Sequence, residues 1–321
     1  MIMCASMPNT VPKLHVVAGV ITNSQGEVLL ARRPDHLDEG GLWEFPGGKR
    51  ERGETVKQTL RRELWEELGI TVQQARPLIS VIHTNADKTI FLDVWRVEQW
   101  EGQPTGCEGQ TVQWCNSTQL LEKTFPTANY PVVTAVQLPS LYAITPEPIA
   151  YDDNAFFYRL ETCLASGTSL IQLRAKTLSQ ENYKRWAERA LTLGKRYKAR
   201  MLVNNSPEVV EALGAQGIHL NSYRLRSCQE RPAQPWVAAS CHSIEEVQQA
   251  NNIGVDFIVI SPVQPTISHP DIKPLGWFQF FQLTEQANCP AFALGGMNTR
   301  DLPKAWAHGG QGIAAIRALW G

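Results

Sequence analysis

Three glutamates, Glu63, Glu66 and Glu67, crowd into five residues of the stretch GGKRERGETVKQTLRRELWEELGI, which runs from Gly47 to Ile70. Each residue of a helix turns the chain by roughly 100°, so the three carboxylates fall on one arc. Two carboxylates about 5–6 Å apart repel by roughly 3 kcal/mol at an effective dielectric of about 20. A divalent cation reverses that sign, and Mg²⁺ or Mn²⁺ prefers such hard oxygen ligands. The chemistry this points to is the binding of a divalent metal, which can share its shell with substrate phosphates. Bridging cations neutralise charge on the phosphates and lower the pKa of a bound water. In-line positioning supplies most of the rest. The competing reading is a solvated acidic helix face.

The elements that must position these groups can be read from the same stretch. Val56, Leu60, Leu64 and Leu68 recur every four residues and predict a buried stripe on a helix from Thr55 to Leu68. Gly69 follows as a left-handed terminator. Upstream, HVVAGVIT and VLLARR read as strands joined by the turn NSQGE, and a Gly/Pro-rich loop, EGGLWEFPGG, leads to the helix. Downstream, ISVIHT and KTIFLDVWRVEQWEG read as a hairpin, and a short helix follows FPTANYP.

Beyond about residue 138 the rhythm changes. Eight short strand candidates, LYAIT, LIQLRAK, RMLVNN, GIHLN, WVAASCH, FIVISPV, AFALGG and GIAAIRAL, alternate with helical segments such as SQENYKRWAERALTLGKRY. That alternation predicts a (β/α)₈ TIM barrel. The fold class expected is therefore a two-domain chain, α/β and α+β: residues 1–137 as a mixed sheet sandwiched by helices, and residues 138–321 as the barrel.

The chain has 321 residues, 43% of them apolar and 19% charged, with a net charge of −1. That is enough for two cores. The neutral balance argues against direct binding of nucleic acid, which favours a basic surplus. No apolar run reaches the roughly 18 residues of a membrane span, and MIMCASMPNTVPK lacks the pattern of a signal peptide. Seven scattered cysteines without CxxC spacing suggest reduced thiols in a cytoplasm.

The acidic stretch also matches a longer pattern: Gly48, five residues, Glu54, seven residues, Arg62-Glu63-Leu64, one residue, Glu66-Glu67, one residue, Gly69-Ile70. In this the chain resembles the Nudix hydrolases, which cleave nucleoside diphosphates linked to another group. The resemblance implies that Glu63, Glu66 and Glu67 ligate Mg²⁺ with help from the Gly47 carbonyl. It implies that Glu54 orients the loop or holds a further metal, and that Arg62 fixes a glutamate rotamer. GVITNSQGEVLLARRP, LWEFPGGK, VEQWEGQPTGCEGQ and FPTANYPV extend the likeness to the MutT-type 8-oxo-dGTP diphosphatases over roughly residues 13–137. By that likeness the substrate is an oxidised guanine nucleoside triphosphate. Asn129 would read the base edge, Arg33 would bond the nucleotide, the Phe45 backbone would hold the base, and Glu108 would serve as metal ligand or general base. Trp43 and Trp95 are expected to pack rather than stack on a base.

From Leu141 on, the chain resembles the thiamine phosphate synthase and TenI family, on LYAIT, GTSLIQLRAKTLS, GIHLNS, SCHSIEEVQQANNIGVDFIVISPVQPT, KPLGW and ALGGMN. The resemblance implies a phosphate cradle at Gly295 and Gly296, and a thiazole or phosphate ligand. The chain departs from the synthase pattern where acids are expected: Asn204-Asn205 replaces an Asn-Asp pair, NSYRL replaces an acidic stretch, and His269 stands where the synthase has a lysine. A metal-free tautomerase using His242 as proton shuttle is one expectation for the barrel. A regulatory binding module or a scaffold for oligomerisation is the other. A thiamine-pathway pyrophosphate is the alternative substrate for the Nudix-like half.

Overall fold

The computed structural model describes residues 13–36, 39–84, 88–148, 152–266 and 271–320; His269 and Cys4 lie outside the described residues. By its contacts the chain divides into two compact units, Met1–Ala75 with Ser80–Tyr130, and Arg76–Ile79 with Pro131–Gly321. The helix Tyr130–Gln137 thus begins at the division. Within the second unit the buried amide of Gln311 donates to the carbonyls of Ala135 (3.0 Å) and Leu138 (2.9 Å), which ties that segment to its sheet.

The first unit contains strands β1 (Lys13–Ile21), β2 (Val28–Arg32), β3 (Trp43–Glu44) and β4 (Gly47–Lys49), helix α1 (Val56–Leu68), and strands β5 (Thr71–Thr84), β6 (Thr89–Glu101) and β7 (Thr111–Cys115). One sheet runs β4-β1-β6-β5 and a second runs β3-β2-β7. β1 pairs parallel with β6 from Lys13 opposite Thr89 to Ile21 opposite Val97, and antiparallel with β4. α1 starts with a capping box, in which the Thr55 hydroxyl and the Gln58 side chain satisfy each other's backbone N–H groups. It ends at Gly69, whose φ of 68° is the left-handed terminator expected. Leu60, Leu64 and Leu68 are buried among Val17, Ile21, Leu29 and Val97, with Val56 only partly covered. The hairpin expected from ISVIHT is longer than its sequence suggests. β5 begins at Thr71 and runs through Pro77, which is tolerated because β5 is an edge of its sheet.

In the second unit all eight expected strands form: β8 (Leu141–Ile144), β9 (Leu170–Leu173), β10 (Arg200–Val203), β11 (Gly217–Leu220), β12 (Trp236–Cys241), β13 (Phe257–Ile260), β14 (Ala291–Ala293) and β15 (Gly312–Ala315). They close in the order β10-β11-β12-β13-β14-β15-β8-β9, with every ladder parallel. Tyr142, Leu170, Leu202, Phe257 and Phe292 form one buried cluster. A second buried cluster joins alternate strand residues to the helices, for example Ile171 and Val203 to Trp186 and Ala190. Parallel strands buried on both faces read as short apolar runs, which is why the eight were visible in the sequence. The six described cysteines are free, and no described helix is long and apolar enough to cross a membrane.

Leu64 is fully buried beneath the acidic face. Leu64→Ala should cost the first unit about 2–5 kcal/mol through lost burial and the cavity left behind. Chemical denaturation measures this; a loss under about 0.5 kcal/mol would mean that the α1 stripe does not anchor the helix.

Candidate active site

α1 sets its carboxylates against the glycine turn that begins β4. Gly47 has a φ of 148° and donates its N–H to Glu67 Oε2 at 3.0 Å. The Cβ that Gly48 lacks would fall on the carboxylate of Glu63, so only glycine allows that approach. Arg62 lies among the other acids. Its Nε donates to Glu54 Oε1 (2.7 Å) and its Nη2 to Glu54 Oε2 (2.9 Å). Its Nη1 donates to Glu63 (2.8 Å) and Glu66 (3.0 Å), and Nη2 also reaches the Lys49 carbonyl (3.1 Å).

Glu54 is held further by the Thr59 hydroxyl (2.8 Å) and the Glu51 N–H (3.1 Å). With the Arg62 guanidinium beside it, its carboxyl drops to a pKa of about 2. Thr59 and Arg62 lie on α1, so these bonds tie Glu54 and the loop that carries it to the helix. Glu66 stays exposed.

The loop after β6 returns to the end of the same helix. Cys107 N–H and Gln110 Nε2 both donate to the Glu67 carbonyl, at 2.9 and 3.0 Å, and Thr105 N–H donates to the Leu68 carbonyl at 3.1 Å. Gln110 also accepts the Glu108 N–H at 2.9 Å. Glu108 is thereby brought close enough for its charge to act on Glu67. Burial pushes the Glu67 carboxyl up to about 8; the Gly47 N–H opposes this, and Glu44, Glu108 and Glu63 reinforce it.

Glu44 is the member of this group that sequence reading missed. It sits on β3 three residues before Gly47, and burial raises its pKa against the pull of Arg33. Arg33 itself forms an ion pair with Glu44 at 2.6 Å, which sets its side chain beside the acidic group. The signal available was the second acid of the EGGLWEFPGG loop, whose significance depends on a strand pairing (Ala31 with Glu44) that the sequence does not display.

Phe45 is buried and stacks on Phe125, with ring centroids 5.9 Å apart and planes at 13°. The Trp43 N–H donates to the Thr124 carbonyl at 2.9 Å, holding the following segment along β3. That segment ends in the 3-10 turn Thr127–Asn129. The Asn129 side chain is half-buried and hydrogen-bonds no other described residue. Trp43 lies under Lys123 (4.1 Å), and Trp95 donates to Asp93 (3.0 Å).

No three His, Cys, Asp or Glu side chains among the described residues converge as a ready cation site. The donor chemistry nevertheless suits a hard divalent cation. Glu63, Glu66 and Glu67 are carboxylates on one helix, and their mutual charge is offset by a single guanidinium.

The barrel carries its own cavity at the C-terminal ends of the strands, about 890 Å³ in volume. A chain of hydrogen bonds crosses its floor. Arg224 Nη1 donates to Asn204 Oδ1 (3.2 Å), Asn204 Nδ2 to Gln172 Oε1 (3.1 Å), and Gln172 Nε2 to Tyr142 Oη (3.3 Å). Tyr142 Oη meets His219 Nδ1 (3.1 Å), and His219 Nε2 meets Ser240 Oγ (2.8 Å). Burial, then the charge of Lys176, lowers the His219 pKa to about 3, so the ring is neutral. His242 lines the same cavity at the end of β12, with Nδ1 2.6 Å from the Ser261 carbonyl. Gly295 lines it too, and with Gly296 it lines a second, smaller cavity of about 260 Å³. Their φ values are 102° and 68°; a Cβ there would meet Pro262 at 2.8 Å and the Pro265 carbonyl at 2.6 Å. The structure brings the expected barrel residues to one mouth, and adds Tyr142, Gln172 and His219, which the sequence reading did not single out.

A mixed sheet with a carboxylate helix, and a closed parallel barrel with a polar mouth, define a two-unit α/β protein. Residues 17–135 match the NUDIX domain family model, and residues 141–319 match the Thiamine monophosphate synthase model. The first part is 40% identical over 125 residues to the 8-oxo-dGTP diphosphatase of Escherichia coli K12, covering 39% of this chain and 97% of that one. It is 37% identical over 122 residues to the CTP pyrophosphohydrolase of the same organism, covering 38% and 90%. The second part is 34% identical over 183 residues to a protein of Aquifex aeolicus named "Putative thiamine-phosphate synthase 2", covering 56% and 97%. The chain belongs to the Nudix family in its first unit and to the thiamine monophosphate synthase family in its second.

An acid raised from 4.5 in the unfolded chain to about 8 stabilises the fold fully below pH 4.5, and this contribution is lost as pH rises through about 8. In EDTA at pH 9, Glu67→Gln should therefore be more stable than the parent chain, by about 1–2 kcal/mol after discounting for partial exposure. The two thermal midpoints should converge below pH 4.5. Midpoints that coincide at every pH would show that Glu67 carries no such cost.

Proposed function

We propose that the first unit is a Mg²⁺-dependent diphosphatase that hydrolyses 8-oxo-dGTP to the monophosphate and pyrophosphate, keeping the oxidised base out of newly made DNA. The observation that carries this reading is the clamp of α1 on the glycine turn, with Glu67 on the Gly47 N–H and Glu63 against Gly48. Glu63, Glu66 and Glu67 would hold the metal, with Glu108 joining them from its loop. The cation, when bound, neutralises phosphate charge and acidifies a water.

The rest falls to the chain itself. Arg62 fixes the rotamers of Glu54, Glu63 and Glu66. Asn129 offers a donor and an acceptor to the guanine edge from a side chain that spends neither on the described protein. Oxidation at C8 gives the base an N7–H donor, and a buried acceptor unmatched by ordinary guanine costs about 1–3 kcal/mol. Arg33, paired with Glu44 of β3, would approach the nucleotide from the end of β2. The relatives support a nucleotide substrate, and the diphosphatase of Escherichia coli supports 8-oxo-dGTP in particular.

A second reading keeps the chemistry and changes the base. It is favoured by the comparable identity to a CTP pyrophosphohydrolase. Measuring kcat/KM for 8-oxo-dGTP, dGTP and CTP side by side with Mg²⁺ separates the two. A preference of at least a hundredfold for 8-oxo-dGTP is expected; a preference for CTP would transfer the assignment. Glu67→Gln should lower kcat by at least a hundredfold while the chain stays folded, and near-normal turnover would remove Glu67 from the metal site. Asn129→Ala should reduce the ratio of 8-oxo-dGTP to dGTP turnover about tenfold or more, and an unchanged ratio would end its base-reading role.

A further inference from the structure

The mouth of the barrel reverses the electrostatics of the first unit. Among the described residues lining its cavity, Arg174, Lys176, Lys273 and Arg317 are cationic, and Glu147 alone is a carboxylate. Both oxygens of that carboxylate are engaged. Oε1 accepts from Arg174 at 2.7 Å, and Oε2 accepts from the Lys176 N–H at 3.0 Å and the Thr177 hydroxyl at 3.3 Å.

The neutral oxygens nearby are engaged as well. Asn204 Oδ1 accepts from Arg224, and Asn205 Oδ1 accepts from the Ser206 N–H at 2.8 Å. A hard divalent cation needs several oxygen ligands free to turn toward it. The described residues at this mouth instead present donors and positive charge. The stretch NSYRL, where the family resemblance leads one to expect acids, supplies Arg224 from the helix Ser222–Ser227. The Lys176 ammonium is pushed below its ordinary value by burial, by Arg174 and by Arg224, the mark of cations gathered without enough counter-charge.

We infer that the barrel mouth holds the phosphate or diphosphate group of a small molecule directly on Arg174 and Lys176, with Arg224 adding its charge from behind Asn204 and no divalent cation between them. Guanidinium forks and an ammonium can match phosphate oxygens through charge-assisted hydrogen bonds, which makes a bridging metal unnecessary. The synthase-type metal site does not fit these residues. This inference stands apart from the nucleotide chemistry of the first unit.

Inorganic pyrophosphate is the probe, titrated calorimetrically into the full chain in EDTA. Binding should persist without metal and weaken at least tenfold in Arg224→Gln and in Lys176→Gln. It should be unchanged in Glu67→Gln, which places it outside the Nudix site. Lys176 is less covered than Arg224, so its variant tests the site even where Arg224→Gln disturbs the fold. Nucleotide turnover by Lys176→Gln should equal that of the parent chain. Binding that requires Mg²⁺, binding that survives in a folded Lys176→Gln chain, or no binding at all would overturn the inference.

Discussion

Arg62 stands between Glu54, Glu63 and Glu66, three carboxylates that would repel one another without it. The geometry of the first unit's site depends on that guanidinium. Through Glu54 and the Lys49 carbonyl it ties the loop before α1 to the helix itself. Through Glu63 it holds a carboxylate against Gly48, the one place where a side chain on the turn would exclude it. Glu67 lies outside this arrangement and relies on a backbone N–H, which favours its charge but does not cancel its burial. The result is a site with excess negative charge, in which a hard cation would remove repulsion already present in the fold.

The barrel buries polar groups by a different means. Its interior chain from Asn204 to Ser240 contains amides, a phenol, a neutral imidazole and a hydroxyl, each meeting another at hydrogen-bond distance. A charged group at that depth would be costly, and burial holds both members of the Tyr142–His219 pair in their neutral forms. Charge is kept to the rim, on Arg174, Lys176 and Glu147. Phosphate chemistry can be approached through acids that recruit a metal or through cations that meet the anion directly. The two units of this chain carry one arrangement each.

Local sequence made α1 legible because its signals lie within one or two helical turns: a capping residue, a four-residue apolar period and a terminal glycine. The eight barrel strands were legible because strands buried on both faces read as uninterrupted apolar runs. β5 was underestimated because Pro77 looks like a strand breaker until the strand is known to be an edge. Glu44 was passed over because its neighbours, Arg33 and Glu67, stand 11 and 23 positions away, and only the β2–β3 pairing and the glycine turn bring them together. The pairing of His219 with Tyr142, 77 positions apart, is set by barrel closure and by nothing in either local sequence.

The sequence by itself therefore determined helix α1 and the eight barrel strands, the two family resemblances and the set of carboxylates that one helix face can present. Those depend on chemistry repeated every two to four residues. The tertiary structure alone decided which charges share a space: that Arg62 binds three acids, that Glu67 is largely withdrawn from water beside others of its kind, and that Arg224 turns to Asn204 at a cation-rich mouth. Charge and desolvation act through space at a few ångströms, and distance along the chain does not record them.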